Sequence, residues 1–280
     1  MYFLSLERSK KTCKISSMKK QIIGLLSVLS VGWTPLAGAM ECQSVQYETI
    51  DYSVCTVNPA EDDIRFFLKD EKGDAYGHFN SLRDALTATG EDLVFAMNGG
   101  MYLKDRSPAG LYIEKSDEKK RVNTRSGPGN FHLLPNGVFW LSDLGEGRLH
   151  SFVAETAKYV SDAEDVVYAT QSGPMLVIDG ALHPKFLKGS ESRKIRNGVG
   201  VREGSSEIVF VKSEAPVNFY DFATLFKGEL KTENALYLDG TISRLYSKQL
   251  GRNDLGLRMG PIIGVVEAKV FEQSEGYKNN

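Results

Sequence analysis

The sequence lacks the short motifs that identify several common classes of enzyme. No Gly-x-Ser-x-Gly nucleophile elbow and no Walker phosphate-binding loop occurs in its 280 residues. In "GVGVREG" at 198–204, the third glycine stands one residue too late for a dinucleotide fingerprint. The four histidines lack the i, i+4 spacing of a zinc-binding helix. We therefore predict neither a metal nor a cofactor.

A long apolar run is also missing. The apolar stretch 22–31 is shorter than the about 20 residues that span a membrane. Lys19 and Lys20 precede this stretch and Ala37-Gly38-Ala39 follows it, which is the pattern of a secretory signal peptide. We predict no stable membrane anchor, and an uncleaved N-terminal anchor is the alternative.

The predicted processing defines the mature chain. Residues 1–17 fit no export signal, so the biological start is predicted at Met18, and residues 1–39 are an upstream extension plus signal peptide. Cleavage after Ala39 leaves residues 40–280 as a single domain, because no linker or internal repeat divides them. We expect a periplasmic or secreted protein.

Cysteine is scarce, with three residues in the whole chain. Cys13 belongs to the segment predicted to be removed, which leaves Cys42 and Cys55 as a pair. In an oxidising compartment such a pair is expected to form a disulfide rather than to act in catalysis or metal binding.

An excess of positive charge is absent as well. Residues 1–39 hold six of the 34 Lys and Arg and one of the 36 Asp and Glu, which leaves the mature chain 28 basic against 35 acidic residues. A net charge near −7 argues against nucleic acid as a partner, because phosphate backbones bind basic surfaces.

Short apolar runs recur along the mature chain and predict strands. Most are four to eight residues long, with Gly, Asn, Asp or Pro beside them. The runs are 45–57, 64–68, 93–97, 111–113, 137–141, 175–178, 198–201, 208–211, 235–238 and 262–266. Because they do not alternate regularly with helices, we predict an α+β class, with one strand-rich domain, a mixed β-sheet and a few short helices.

Three helices are predicted. Ser81-Leu82-Arg83-Asp84 has the form of a capping box and begins a helix over 81–89. A second helix is predicted over 219–230 with Asp221 as its N-cap, and a third over 151–163.

Polar residues stand repeatedly where a predicted strand meets a glycine. The examples are Asn98-Gly99-Gly100, Ser172-Gly173-Pro174, Arg196-Asn197-Gly198, Asp239-Gly240 and Gly260-Pro261. A tight hairpin explains any one of them, and Asp179-Gly180 is expected to be such a turn. Five further corners in one domain exceed what hairpins require, and they indicate a site at the strand ends.

The residue types at these corners suit an anionic ligand. The guanidinium of Arg196 offers forked donors for a phosphate or carboxylate, although an ion pair at the surface is an equally good explanation. Bare glycine backbone can come close to a ligand or form an anion-binding nest. Asp239 is the candidate acid or orienting base.

At these motifs the sequence resembles the phosphodiester glycosidase family, in its bacterial exported branch. The resemblance runs in order through "FAMNGGMYLKDRSPAGLYIE", "NFHLLPNGVFW", "ATQSGPMLVIDG", "RNGVGV", "ALYLDGTISRLY" and "GPIIGVVE". It implies hydrolysis of a sugar-1-phosphodiester, with a carbohydrate or sugar-phosphate substrate. Gly240 is followed by Thr241-Ile242-Ser243, whereas the animal member of the family has a longer glycine run after the corresponding aspartate.

The resemblance also implies roles for individual residues. Asp239, Asn98 and Arg196 are the implied catalytic residues, with Arg196 on the phosphate and Asp239 activating water or stabilising an oxocarbenium ion. The implied substrate-binding residues are Gly99, Gly100, Ser172, Gly173, Asn197 and Gly240. Asp105 and Asp179 are candidates for a second carboxylate.

Two other functions fit the same residues. A non-catalytic envelope protein could bind a glycan or phosphoglycan through the same pocket. A phosphodiesterase that cuts on the other side of the phosphate normally needs a metal-ligand cluster, which the sequence does not display, although Asp and Asn oxygens could hold a divalent ion.

Overall fold

The computed structural model describes residues 40–145, 147–240 and 242–269. The predicted signal peptide and the segment before it lie outside the described residues. Within the described ranges, no helix is long and apolar enough to cross a membrane.

Strands dominate the described chain, as predicted. The strands are β1 (Glu41–Tyr47), β2 (Ile50–Val57), β3 (Asp63–Phe67), β4 (Glu91–Asn98), β5 (Tyr112–Glu114), β6 (Asp117–Lys120), β7 (Gly137–Asp143), β8 (Leu149–Glu155), β9 (Val166–Ser172), β10 (Met175–Ile178), β11 (Ala181–Leu182), β12 (Asn197–Arg202), β13 (Ile208–Ser213), β14 (Thr232–Asp239), β15 (Leu245–Ser247), β16 (Arg252–Asn253) and β17 (Ile262–Ala268).

These strands form three sheets. The first sheet has the order β1-β2-β13-β12-β14-β10-β11, the second β16-β15-β4-β17-β3 and the third β6-β5-β9-β7-β8. The predicted α+β, strand-rich class is confirmed. Every ladder between described strands is antiparallel, whereas a mixed sheet was predicted.

The inner faces of the three sheets share one core. Phe210 of the first sheet, Phe66 of the second and Phe139 of the third meet there, with ring centroids 5.7 Å apart for Phe66 and Phe139 and 5.9 Å apart for Phe139 and Phe210. This common core makes the described chain a single domain.

Each sheet is covered by a helix on its outer face. The helices are α1 (Phe79–Ala88) on the second sheet, α2 (Thr156–Asp162) on the third and α3 (Phe219–Gly228) on the first. Successive side chains of a strand point to opposite faces, so Leu236 and Leu238 of β14 enter the common core while Ala235 and Tyr237 face α3. Strands buried on both faces read as continuous apolar runs.

The helix starts differ from the predictions. Helix α1 begins after His78, and Ser81 lies inside it, so the predicted capping box is wrong. Asn218 caps α3 by accepting a hydrogen bond from the Asp221 amide at 2.8 Å, so the cap is not Asp221. Of the third predicted helix, residues 151–155 belong to strand β8.

The predicted disulfide and hairpin turn are confirmed. Cys42 and Cys55 are bonded and lie opposite each other in β1 and β2. The run predicted over 45–57 is therefore a hairpin of two strands. Asp179-Gly180 is the two-residue turn between β10 and β11, and both residues have positive φ.

Candidate functional site

Three of the predicted site residues meet where strands of two sheets end. Asn98 is the last residue of β4, Asn197 the first of β12 and Asp239 the last of β14. The two asparagine side chains pair with each other: Asn197 Nδ2 donates to Asn98 Oδ1 at 3.0 Å, and Asn98 Nδ2 donates to Asn197 Oδ1 at 3.3 Å. This amide pair joins the first sheet to the second.

The amide pair also fixes the chain that follows β14. The Asp239 backbone amide donates to Asn197 Oδ1 at 2.9 Å, and the Arg244 amide donates to Asn98 Oδ1 at 3.0 Å. Both asparagines are 0% exposed. Their amides are therefore committed to the protein, and they position Asp239 and Arg244.

The Asp239 carboxylate lies at the edge of this arrangement and is half-buried. Its Oδ1 accepts from the Gly240 amide at 2.6 Å. The pKa of Tyr102 is raised by burial and by the charge of Asp239, and Arg106 and Arg244 oppose this rise. The pKa of Tyr237 is raised by burial, with Asp239 adding to the rise and Arg196 opposing it. The charge of Asp239 therefore acts on two phenols, and each phenol also has at least one arginine nearby.

The predicted glycines make close contacts within the protein. A Cβ on Gly240 would lie 1.9 Å from the Tyr237 hydroxyl, and one on Gly100, whose φ is +134°, would lie 2.7 Å from Thr170 Oγ1. Gly99 and Gly173 are also closely packed, against Ile263 and Asn136. Close approach of protein atoms therefore explains all four glycines.

Ser172 lies in the same region, at the end of β9. Its side chain is 0% exposed and donates to the Leu238 carbonyl oxygen at 3.0 Å. This bond fastens the third sheet to the end of β14.

Arg196 is buried, with 1% of its surface exposed. Its Nε donates to the Val217 carbonyl oxygen at 2.8 Å and its Nη2 to that of Ser192 at 3.0 Å. The guanidinium carbon stacks 3.7 Å from the centre of the Phe219 ring. Burial lowers the Arg196 pKa, which the neighbouring Tyr237 phenol opposes. Arg196 thus holds backbone on both sides of it and is not an ion pair at the surface.

Arg244 is a further candidate residue that the sequence motifs did not indicate. This side chain is 6% exposed, and its guanidinium has no hydrogen bond or ion pair to the described part of the chain. Burial lowers the Arg244 pKa, and the nearby Tyr102 and Asp254 oppose this. The sequence feature that could have indicated Arg244 is its position between the apolar Ile242 and Leu245, five residues after Asp239. A guanidinium at a cavity without a hydrogen-bonded acidic partner suits an anionic ligand.

Arg244 lines an open cavity of about 520 Å³. This volume lies within the about 300–1,000 Å³ that is typical of small-molecule sites. The other lining residues are Lys194, Ile195, Lys212, Gly240, Ile242, Ser243, Arg252, Asp254, Leu255 and Leu257. We call this space the Arg244 cavity.

Neither candidate for a second carboxylate has a hydrogen bond to the residues of the amide pair. Asp179 contacts Asn234, five residues before Asp239 on β14, which corresponds to about 16 Å along the strand. Asp105 is exposed and accepts from the amide and hydroxyl of Ser107, which lower its pKa. No cluster of three or more His, Cys, Asp or Glu suited to a metal occurs in the ranges that the structure describes.

Comparison with known proteins relates the chain to phosphodiester glycosidases. The family model of that description matches residues 91–258. The chain is 39% identical over 202 residues to the uncharacterized protein YigE of Escherichia coli K12, and this match covers 71% of the chain and 76% of that protein.

Two solved structures share the fold. The catalytic domain of zebrafish N-acetylglucosamine-1-phosphodiester α-N-acetylglucosaminidase, auto-inhibited by its pro-peptide, has a TM-score of 0.55 and 12% identity over 81% of each chain. A hypothetical protein from Synechocystis has a TM-score of 0.50 and 14% identity, over 81% of this chain and 61% of that one. At such identities the likeness concerns the fold alone.

Proposed function

The chain belongs to the phosphodiester glycosidase family, as its motifs predicted, and we propose that it hydrolyses a sugar-1-phosphodiester bond. The observation that carries this proposal is the placement of Asp239 and Arg244 by one pair of buried asparagines. The backbone of an aspartate and the backbone of an arginine are thereby fixed by the same two side chains, and the arginine lines the Arg244 cavity next to Gly240.

The phosphate is assigned to Arg244 in this proposal. Arg196 is almost fully buried and donates to two backbone carbonyls, so it serves as a positioning residue. Arg244 and Lys194 both line the cavity, and neither has an ion pair with a described residue. Together they offer two positive charges to a phosphodiester.

Asp239 is assigned to the sugar carbon. Water attacks C1 of the sugar, the bond from C1 to the phosphate oxygen breaks, and Asp239 takes the proton of the water or stabilises positive charge on the ring. The leaving phosphate keeps its electron pair as an anion, which Arg244 stabilises. A second carboxylate to protonate the leaving group is therefore not required.

The test is hydrolysis of a panel of sugar-1-phosphodiesters, with N-acetylglucosamine and glucose among the sugars. We expect release of free sugar by the wild-type protein, and a loss of about 10²–10⁴-fold in kcat for Asp239→Asn, the range of general-base contributions. Arg244→Gln is expected to lose about 10²–10³-fold, as for removal of one donor to a developing anion.

Arg83→Gln is the matched control, because Arg83 lies on α1 and pairs with Asp84. Its kcat should equal that of the wild type. Full activity in Asp239→Asn would remove Asp239 from the mechanism. A sugar phosphodiester that binds and is never cut would identify the protein as the glycan-binding alternative.

We also propose that the protein is exported and cleaved after Ala39. Met40 is 6% exposed, and its backbone nitrogen donates to Asp62 Oδ1 at 3.1 Å. After cleavage this nitrogen would be an ammonium group that already has a carboxylate partner. Mass spectrometry of the protein from an export-competent host tests the cleavage position.

A further inference from the structure

Two leucines on the wall of the Arg244 cavity are unusually exposed. Leu255 is 76% exposed, the highest value of any large apolar side chain in the described residues, and Leu257 is 69% exposed. Both line the cavity that Arg244 lines. A pair of apolar side chains beside a phosphate site forms an amphiphilic wall.

The backbone that carries these leucines is held in place. The Asp254 carboxylate accepts from the Leu245 amide at 3.0 Å and from Arg252 Nε at 2.8 Å. A Cβ on Gly256 would lie 2.6 Å from Arg244 Nη2, so the segment between the leucines packs directly on the guanidinium. The leucines are thus exposed although their backbone is fastened to β15 and to Arg244.

The charges of the cavity match an anion with an apolar tail. Lys212 and Arg252 pair with Glu214 and Asp254, which neutralises them. Arg244 and Lys194, which line the same cavity as the leucines, have no such ion pair within the described residues. A ligand that is charged at one end and apolar at the other would satisfy both parts of this wall.

We propose that the phosphodiester cleaved at this site carries a hydrocarbon chain beyond the phosphate, and that Leu255 and Leu257 hold this chain. The inference deepens the proposed function and rests on it. In this arrangement Arg244 binds the phosphate, the sugar lies toward Asp239, and the chain leaves the cavity across the two leucines.

The experiment compares ligands that differ only in the chain. Binding of methyl phosphate and of decyl phosphate, below its micelle concentration, is measured by calorimetry on the full-chain protein. Hydrolysis of methyl and decyl esters of N-acetylglucosamine-1-phosphate is measured in parallel. We expect decyl phosphate to bind at least about tenfold more tightly than methyl phosphate, because it removes leucine surface from water.

Two variants make the test specific. Leu255→Ser with Leu257→Ser should abolish the preference for decyl phosphate over methyl phosphate. Leu187→Ser is the matched control, because Leu187 is 73% exposed and does not line the cavity. The preference should persist in that variant.

The outcomes separate this inference from the proposed function. Equal binding of the two phosphates, failure of decyl phosphate to bind, or a preference that survives in the double variant overturns the inference, even if both esters are hydrolysed. A chain preference that depends on the leucines, without hydrolysis of either ester, supports the apolar wall and rejects the glycosidase activity.

Discussion

Of the predicted site glycines, Gly240 leaves the least room for a side chain, because it lies beside Tyr237. A Cβ at position 240 would lie 1.9 Å from the phenol oxygen and 3.1 Å from the ring carbon that bears it. We predict that Gly240→Ala lowers the free energy of unfolding by about 1–3 kcal/mol, because overpacking forces neighbours to move. Urea denaturation measures this loss.

The matched variant Tyr237→Phe removes the hydroxyl oxygen that a Cβ at position 240 would meet. In a Tyr237→Phe background the alanine meets no hydroxyl, so the cost of Gly240→Ala should fall clearly. An equal cost in both backgrounds would show that the contact does not explain the glycine.

A second residue-scale prediction concerns pH. Burial raises the pKa of Glu114, and the Tyr112 hydroxyl, which donates to its carboxylate at 3.2 Å, opposes the rise. The folded protein therefore holds this proton to a higher pH than the unfolded chain does. The stability that the protonated Glu114 carboxyl contributes is fully present below the pKa of the unfolded chain. It is lost as the pH rises through the pKa of the folded protein.

Glu114→Gln removes this titration. We predict that the variant gains more stability over the wild type at pH 7 than at pH 3, as measured by thermal unfolding at both values. The exposed Glu71→Gln is the control and should show no such difference. A gain for Glu114→Gln that is independent of pH would contradict the assignment.

Among the elements, the start of α3 offers a direct test of capping. Asn218→Ala should cost about 1 kcal/mol, because the Asp221 amide loses its acceptor. Ser81→Ala should cost almost nothing, because Ser81 is an exposed residue inside α1. Equal losses in guanidinium unfolding would mean that Ser81 caps α1 after all.

Sequence patterns predicted the strands better than the helices. Strands such as β10 and β14 are buried on both faces, so their apolar runs are continuous and easy to recognise. Strand β8 has no regular alternation of polar and apolar residues and runs directly into α2, and the two were predicted as one helix. Strand β9 was missed, because Thr170, Gln171 and Ser172 interrupt its apolar pattern, although all three are buried.

The candidate site was predictable in part for a related reason. Asn98, Asn197 and Asp239 stand at strand ends beside glycines, which the sequence displays. Which of them would be buried depends on how the sheets pack, and no local pattern contains that information. The same holds for Arg244, whose lack of an acidic partner is visible only once its neighbours are placed.

At the scale of the whole molecule, the common core predicts that the three sheets unfold together. Phe66, Phe139 and Phe210 join all three sheets. In the proposed mature chain, residues 40–280, Trp140 of the third sheet is the only tryptophan. Its fluorescence and the far-UV circular dichroism should change at the same urea concentration. Separate midpoints would show that the third sheet unfolds independently.

The amide pair has a consequence for the order of events during synthesis. Asn98 and Asn197 are 99 residues apart in the chain, and the Asp239 and Arg244 that they position come later still. A nascent chain that stops before residue 239 can fold hairpins, yet it lacks both charged groups of the site. Contacts of such long range close late and slowly. Any catalysis at this position therefore requires the chain to be synthesised beyond residue 244. The rate at which activity returns after dilution from denaturant would measure the folding step in which β4, β12 and β14 come together.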